Sequence, residues 1–162
     1  MNRILFVDLD GTVRRTKSGA TFINDPYDQE IIPGVQEAIA RYHDWKIIGI
    51  TNQGGVGAGH KTLKDCVLEQ QYTLKLLPNL SYIFFCPDNG QTTYQVWEKR
   101  YQKIDPFEKL NFRKPGTGMI DWAIRCNSQT KQYLMIGDRP EDQQCADNAN
   151  IPFMWAEDWR NG

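Results

Sequence analysis

Four short apolar runs, 4–7, 47–50, 82–86 and 133–136, end abruptly at Asp8, Thr51, Pro87 and Gly137. Runs of this length without polar alternation read as strands buried on both faces. Between them the apolar spacing turns helical. Val35, Ala38, Ile39 and Tyr42 follow Pro33, and Leu63, Val67, Leu74 and Leu77 stop near Pro78. Met119, Ile120, Ala123 and Ile124 share one helical face, residues 140–149 read as a further helix, and 152–155 as a last short strand. Strands alternating with helices require right-handed crossovers. The predicted fold is therefore α/β: three layers, Rossmann-like, with a central parallel sheet and helices on both faces.

In such sheets a ligand site lies beyond the carboxyl ends of the strands. That rule selects Asp8 and Asp10 after the first strand, Thr51 and Asn52 after the second, and Asp138 after the fourth. The chain of 162 residues has room for one domain, taken as 1–162. A net charge of −1 excludes an overall basic field for nucleic acid and leaves open only a local patch. The opening apolar run is too short for a signal peptide, and no later run approaches a membrane span, so a cytoplasmic protein is expected, as a monomer. Cys66, Cys86, Cys126 and Cys145 form no C-x-x-C pair and read as reduced thiols.

Asp8 and Asp10 can reach one side only if the chain turns sharply after Asp8, which Gly11 permits. Two close carboxylates ionise together only with a cation between them or a retained proton. A divalent metal answers this, Asp138 offers a third oxygen ligand, and all-oxygen ligation suits magnesium. The plainer alternative is a strand end with solvated aspartates. Thr51 and main-chain amides beyond a strand end can bind phosphate oxygens, although a threonine there can equally be a cap. Lys114 precedes Pro115, so its amine can project from a loop.

Residues 55–62, G-V-G-A-G-H-K-T, stand one residue from the nucleotide-binding pattern G-x-x-x-x-G-K-[ST]. His60 replaces the second glycine and would crowd a phosphate, and T-N-Q separates the loop from its strand. The glycines are read instead as the path from Thr51 into the next helix. His60 is expected to be solvated, with a substrate contact from His60 or Lys61 as the alternative.

The segments D-L-D-G-T (8–12), I-T-N-Q (50–53), R-K-P-G-T-G-M (113–119) and G-D-R-P-E-D (137–142) resemble, in order and spacing, the four motifs of the haloacid dehalogenase superfamily of phosphohydrolases. T-N-Q-x-G and R-K-P-x-x-G-M resemble the branch of histidinol-phosphate and heptose-bisphosphate phosphatases and polynucleotide 3′-phosphatases. The resemblance implies Asp8 as nucleophile and Asp10 as general acid and base. It implies magnesium held by Asp8, the Asp10 carbonyl and Asp138. It places Thr51, Asn52 and Lys114 on the phosphoryl group and Asp142 behind the metal site or Lys114. Arg113 and Arg139, inside the matched motifs, are candidate substrate contacts.

Members of this branch often carry a zinc loop, C-x-H followed by C-x-C. Here Cys86-Pro87-Asp88 keeps one cysteine, so no structural zinc is expected. Residues 88–112 have no clean period and are read as a long loop or small insertion covering the sheet edge. Their mixture of Gln91, Tyr94, Trp97, Lys99, Arg100, Tyr101 and Lys103 is also one that can contact a nucleic-acid strand. Residues 13–33 form a short flap at most. The expected function is magnesium-dependent hydrolysis of a small phosphomonoester of sugar or histidinol type. The alternatives are 3′-phosphate removal from nucleic-acid ends, and a non-catalytic phosphate-binding or phospho-acceptor module.

Overall fold

The computed structural model describes residues 2–106 and 108–162; Met1 in the opening run and Phe107 in the 88–112 segment lie outside the described residues. The first apolar run is β1 (Arg3–Val7), the second β4 (Lys46–Asn52), the third β5 (Leu80–Cys86) and the fourth β8 (Gln132–Gly137). With β9 (Phe153–Trp155) they pair in parallel, β1 lying between β4 and β8. The helices are α1 (Val35–Arg41), α2 (Leu63–Leu76), α3 (Gly118–Cys126), α4 (Pro140–Asn148) and α5 (Ala156–Asn161).

Alternate residues of β1 enter two separate cores. Leu5 and Val7 pack with Val35, Ala38 and Ile39 of α1, Val67 and Leu74 of α2, and Trp159 of α5. Ile4 and Phe6 pack with Met119, Ile120 and Ala123 of α3 and Ala146 of α4. Helices thus cover both faces, which is why the strand sequences show no polar alternation. Among the described residues no helix is long and apolar enough to cross a membrane. Cys66, Cys86 and Cys145 are buried free thiols, and burial pushes each up to about 12; Cys126 is free and exposed.

Two segments carry strands that the apolar runs do not announce, the first of them read from sequence as a long loop or small insertion. Within 88–112 the chain forms a hairpin, β6 (Thr93–Trp97) and β7 (Arg100–Ile104), which continues the sheet antiparallel from β5. The whole sheet then has seven strands, ordered β7-β6-β5-β4-β1-β8-β9. The hairpin covers the sheet edge as an insertion would, but as strands. It escapes an apolar search because β7 is an edge strand, exposed from Arg100 to Lys103 and buried only at Ile104. Arg100 and Lys103 on that edge discourage pairing with another chain. In the 13–33 flap, β2 (Arg14–Arg15) and β3 (Glu30–Ile31) form a two-stranded antiparallel ribbon.

β1 is the point where the sheet order reverses: the chain passes from β1 outward through β4 and β5, then returns to β8 on the other side. A crevice at the carboxyl ends of the strands is expected at such a switch. Asp8, Thr51 and Asp138 all stand there.

Candidate active site

Asp8 follows β1, its main-chain N–H donating to Ile136 O at 3.0 Å. The chain then folds back at once: the N–H groups of Thr12, Val13 and Arg14 all donate to Leu9 O at 2.9–3.1 Å. Gly11 makes the turn with φ +84°, and a Cβ there would collide with the Asp138 carboxylate. Glycine is needed at this position for both backbone sign and space. The turn brings the Thr12 hydroxyl to Asp8 Oδ2 at 3.1 Å and to Asp138 Oδ1 at 3.4 Å.

Lys114 is the centre of charge. Its Nζ donates to Asp8 Oδ1 and Asp142 Oδ1, each at 2.7 Å, and to Ile50 O at 3.2 Å, which uses all three ammonium hydrogens. Asn52 fixes the loop that presents it. Its Nδ2 donates to Lys114 O at 3.0 Å, and its Oδ1 accepts from Lys114 N at 2.9 Å. The Asn52 side chain is therefore committed to Lys114 and is not turned to a ligand. Asp142, in the first turn of α4, accepts from the N–H groups of Asp138 and Arg139 through Oδ2, at 3.1 and 3.2 Å. It bridges the start of that helix to Lys114.

Carboxylate oxygens of Asp8, Asp138 and Asp142 lie within 4.8 Å of one another. Burial, reinforced by Asp142 and opposed by Lys114, pushes the Asp8 carboxyl up to about 8. Burial pulls the Lys114 ammonium down, but Asp8 and Asp142 outweigh it and hold the ammonium above its ordinary value. Three carboxyl groups gathered around one ammonium offer more oxygen donors than that ammonium can occupy, and the set suits a hard divalent cation that displaces the Asp8 proton.

The Asp10 carboxylate is not in that group. Its Oδ1 accepts from Arg14 Nε at 2.9 Å and its Oδ2 from Gln53 Nε2 at 3.1 Å. Desolvation acts to raise its carboxyl, but Arg14 and the hydrogen bonds from Arg14 and Gln53 prevail and keep it below the ordinary carboxylate value. Thr51 is buried at the end of β4, and Gln53 Nε2 also donates to its Oγ1 at 3.0 Å. Arg14, Gln53, Glu69 and Lys61 thus form a polar layer under the site. None of the four motifs singles out Arg14 or Glu69. No sequence signal marks either as buried, since Arg14 stands beside Arg15 in the flap and Glu69 lies in a helix that also carries Lys64, Asp65, Gln71 and Lys75.

The alternative of a substrate contact from Lys61 finds no support: Nζ donates to Gln53 Oε1 at 3.0 Å and Glu69 Oε1 at 2.8 Å, so it points inward. His60 is exposed, as expected. The glycine loop turns into α2, which begins after its cap Thr62. A Cβ on Gly54 would lie 2.7 Å from the Arg113 guanidinium, so Arg113 rests on the loop that follows Thr51. Arg139 is exposed at the start of α4, beside Asp138. α5 contributes Arg160, whose Nη1 donates to Gly11 O at 3.2 Å and Thr12 O at 2.8 Å, holding the turn from outside.

The mixed aromatic and basic groups of 88–112 are spread along the hairpin, Tyr94 and Lys103 in register with Phe85 toward the carboxyl end of β5 and Trp97 and Arg100 at the other end. β6 runs antiparallel to β5, so the Trp97–Arg100 turn, with the guanidinium 3.8 Å from the indole centroid, lies at the opposite edge of the sheet. Tyr94 stacks on Phe85 instead. Asp88 closes the loop at 88–92: Oδ1 accepts from Gly90 N and Gln91 N, both at 3.0 Å, and Oδ2 from Thr92 Oγ1 at 2.7 Å.

Comparison with known proteins gives this geometry a family. Residues 3–159 match the family model described as polynucleotide kinase 3 phosphatase. A probable D-glycero-D-manno-heptose-1,7-bisphosphate 7-phosphatase of Thermoplasma volcanium is 28% identical, over 93% of this chain and 96% of that protein. The histidine biosynthesis bifunctional protein HisB of Legionella pneumophila is 27% identical over 95% of this chain, which spans 41% of that longer protein. In fold, the chain is similar to D,D-heptose 1.7-bisphosphate phosphatase from B. bronchiseptica, solved with magnesium and phosphate. The TM-score is 0.68 at 24% identity, over 93% of this chain and 78% of that one. The chain belongs to the polynucleotide kinase 3 phosphatase family and is a phosphatase of the haloacid dehalogenase superfamily.

Proposed function

We propose that the chain hydrolyses a small phosphorylated metabolite, of sugar-phosphate type, through a phosphorylated Asp8. The observation that carries this reading is the position of Asp8: buried at the end of the central strand, its Oδ1 2.7 Å from Lys114 Nζ and its carboxylate grouped with Asp138. Asp8, Asp138 and the main-chain carbonyl of Asp10 would hold magnesium. When bound, that ion supplies positive charge against the phosphoryl oxygens.

Asp8 attacks phosphorus and the bond to the leaving oxygen breaks. Asp10 gives that oxygen a proton, then takes one from the water that cleaves the acyl phosphate and restores the Asp8 carboxylate. A phosphoryl dianion set beside Asp10 favours its protonated form, offsetting the pull of Arg14. Lys114 and Thr51 hold phosphoryl oxygens, with Asn52 contributing through its main chain and through its grip on Lys114. Arg113, lying on the loop after Thr51, and Arg139 are the candidate contacts to the rest of the substrate. Asp142 orients Lys114. The single cysteine at 86, with Asp88 already engaged by its own loop, supports the absence of structural zinc.

Removal of 3′-phosphate from a nucleic-acid end is the second reading, favoured by the family description. Trp97 and Arg100 lie away from the site, which argues against those two hairpin residues as the strand contact. The test is phosphate release, with magnesium, from sugar phosphates, histidinol phosphate and a 3′-phosphorylated oligonucleotide, with Asp8→Asn as control. Asp8-dependent turnover concentrated on a sugar phosphate is expected. Turnover confined to the oligonucleotide would replace the substrate class. Release independent of Asp8 would overturn the mechanism.

A further inference from the structure

Arg14 has no counterpart in the four motifs, yet its side chain is fully buried while that of its partner Asp10 is 49% exposed. All five guanidinium hydrogens have acceptors. Nε donates to Asp10 Oδ1 at 2.9 Å. Nη1 donates to Gln70 Oε1 at 2.8 Å and Thr73 Oγ1 at 2.7 Å. Nη2 donates to Glu69 Oε2 at 2.6 Å and, at a longer 3.5 Å, to Asp10 Oδ2. Three of the four acceptor residues belong to α2, a packed helix; the fourth is the carboxylate at the rim of the site. A planar, charged fork held on one side by a rigid helix fixes whatever it grips on the other.

We infer that Arg14 is a positioning residue that aims the Asp10 carboxyl at the leaving oxygen, with Glu69 as its anchor. This rests on the reading of Asp10 as proton donor and acceptor. The buried network has a second arm. Lys61 joins Glu69 Oε1 to Gln53 Oε1, and Gln53 Nε2 holds both Asp10 Oδ2 and Thr51 Oγ1. Two grips therefore set the angle of the Asp10 carboxylate, one from α2 through Arg14 and one from Gln53, just past β4, and Lys61 ties both to Glu69. A solvated aspartate would need neither, and a purely structural arginine would not direct Nε to the most exposed acid within its reach.

The role is separable from folding by the choice of leaving group. An alkoxide needs a proton as it departs, whereas p-nitrophenolate does not. Single-turnover rates are measured for an alkyl phosphate and for p-nitrophenyl phosphate, in wild type, Asp10→Asn, Arg14→Lys and the double variant Arg14→Met with Glu69→Gln. The lysine keeps the charge but not the fork. The double variant removes both members of the buried Arg14–Glu69 pair, and the Lys61 ammonium keeps Gln53 Oε1 and the amide oxygen that Glu69→Gln supplies. Both Arg14 variants are expected to lose about 10²-fold on the alkyl phosphate and less than about 10-fold on the first release of p-nitrophenolate. With p-nitrophenyl phosphate in excess they should then stall, because Asp10 is misplaced for water activation, and show a burst of one equivalent per enzyme. Equal losses on both substrates, or none, with Asp10→Asn still discriminating between them, would overturn the positioning role alone. An Asp10→Asn enzyme that does not discriminate would overturn the reading beneath it as well.

Discussion

Replacing Lys114 by methionine removes the ammonium from between two buried carboxyls and leaves the packing volume nearly unchanged. In the native site the Lys114 side chain is 3% exposed, with Asp142 at 3% and Asp8 at 9%. Breaking a buried ion pair from one side costs about 3–5 kcal/mol, because the remaining charge is neither paired nor hydrated. For a chain of this size each kcal/mol moves the melting temperature by about 2–4 °C, so Lys114→Met should melt about 6–20 °C below wild type. Adding Asp142→Asn should return part of that loss, because it removes the stranded charge. Saturating magnesium should stabilise the variant more than wild type, being the one cation left to the cluster. The loss of a cation on the phosphoryl group should lower turnover by at least about 10²-fold. Scanning calorimetry of the three proteins, with and without magnesium, tests this. A Lys114→Met melt within about 2 °C of wild type, unresponsive to Asp142→Asn, would refute the picture of one ammonium holding two carboxyls.

Three further outcomes are expected. Burial above all holds the Asp8 carboxyl up at about 8, against 3.8 for the free group. The folded, metal-free protein therefore binds the extra proton, and this contribution to stability is full below about pH 4 and lost as pH rises through about 8. Magnesium must displace that proton, so calorimetric titration at pH 6.5 in buffers of different ionisation enthalpy should show close to one proton released per ion, and none at pH 9; buffer-independent heats at pH 6.5 would contradict it. Gly11→Ala forces a side chain into φ +84° and against the Asp138 carboxylate, and should lower kcat/KM about 10²-fold through misplacement of Asp8 and Asp138; steady-state kinetics at saturating magnesium would expose an error. Asp88→Ala removes the acceptor that closes the 88–92 loop and should cost about 1–3 kcal/mol in urea unfolding, an unchanged midpoint speaking against that role.

The parallel strands were readable because each is covered on both faces. Leu5 and Val7 serve one core and Ile4 and Phe6 the other, so β1 must be apolar throughout. β7 carries no such requirement. Its Arg100, Tyr101, Gln102 and Lys103 face solvent, and one buried residue, Ile104, makes no periodic signal. α5 is hidden for a similar reason, since only Ala156 and Trp159 of its six residues are buried. In the site, Asp8, Thr51 and Asp138 could be placed from strand ends alone, because the rule that locates them is topological. Lys114 could be placed only through its motif, and the commitment of the Asn52 side chain to the Lys114 main chain was not visible at all.

What stayed hidden in the site is its polar underside, for a definite physical reason. Arg14 and Glu69 are 55 residues apart, one in a flap and one in a helix, and neither position has a period that marks it as buried. Apolar residues announce burial by type; a charged residue is buried only when a partner satisfies it, and the partner is set by the tertiary fold. The helix carrying Glu69 shows this in its own composition. Cys66, Val67 and Leu74 are buried on it, but so are Glu69, Gln70 and Thr73, and the latter three are three of the four acceptor residues of Arg14. A helix that buries three polar residues around one guanidinium accepts a desolvation cost that an apolar core would avoid. The same arginine ends on Asp10, so the network that weakens the amphipathic signal of α2 is the one that reaches the rim of the site. The residues that make a sequence harder to read as fold can therefore be sought as supports of the chemistry.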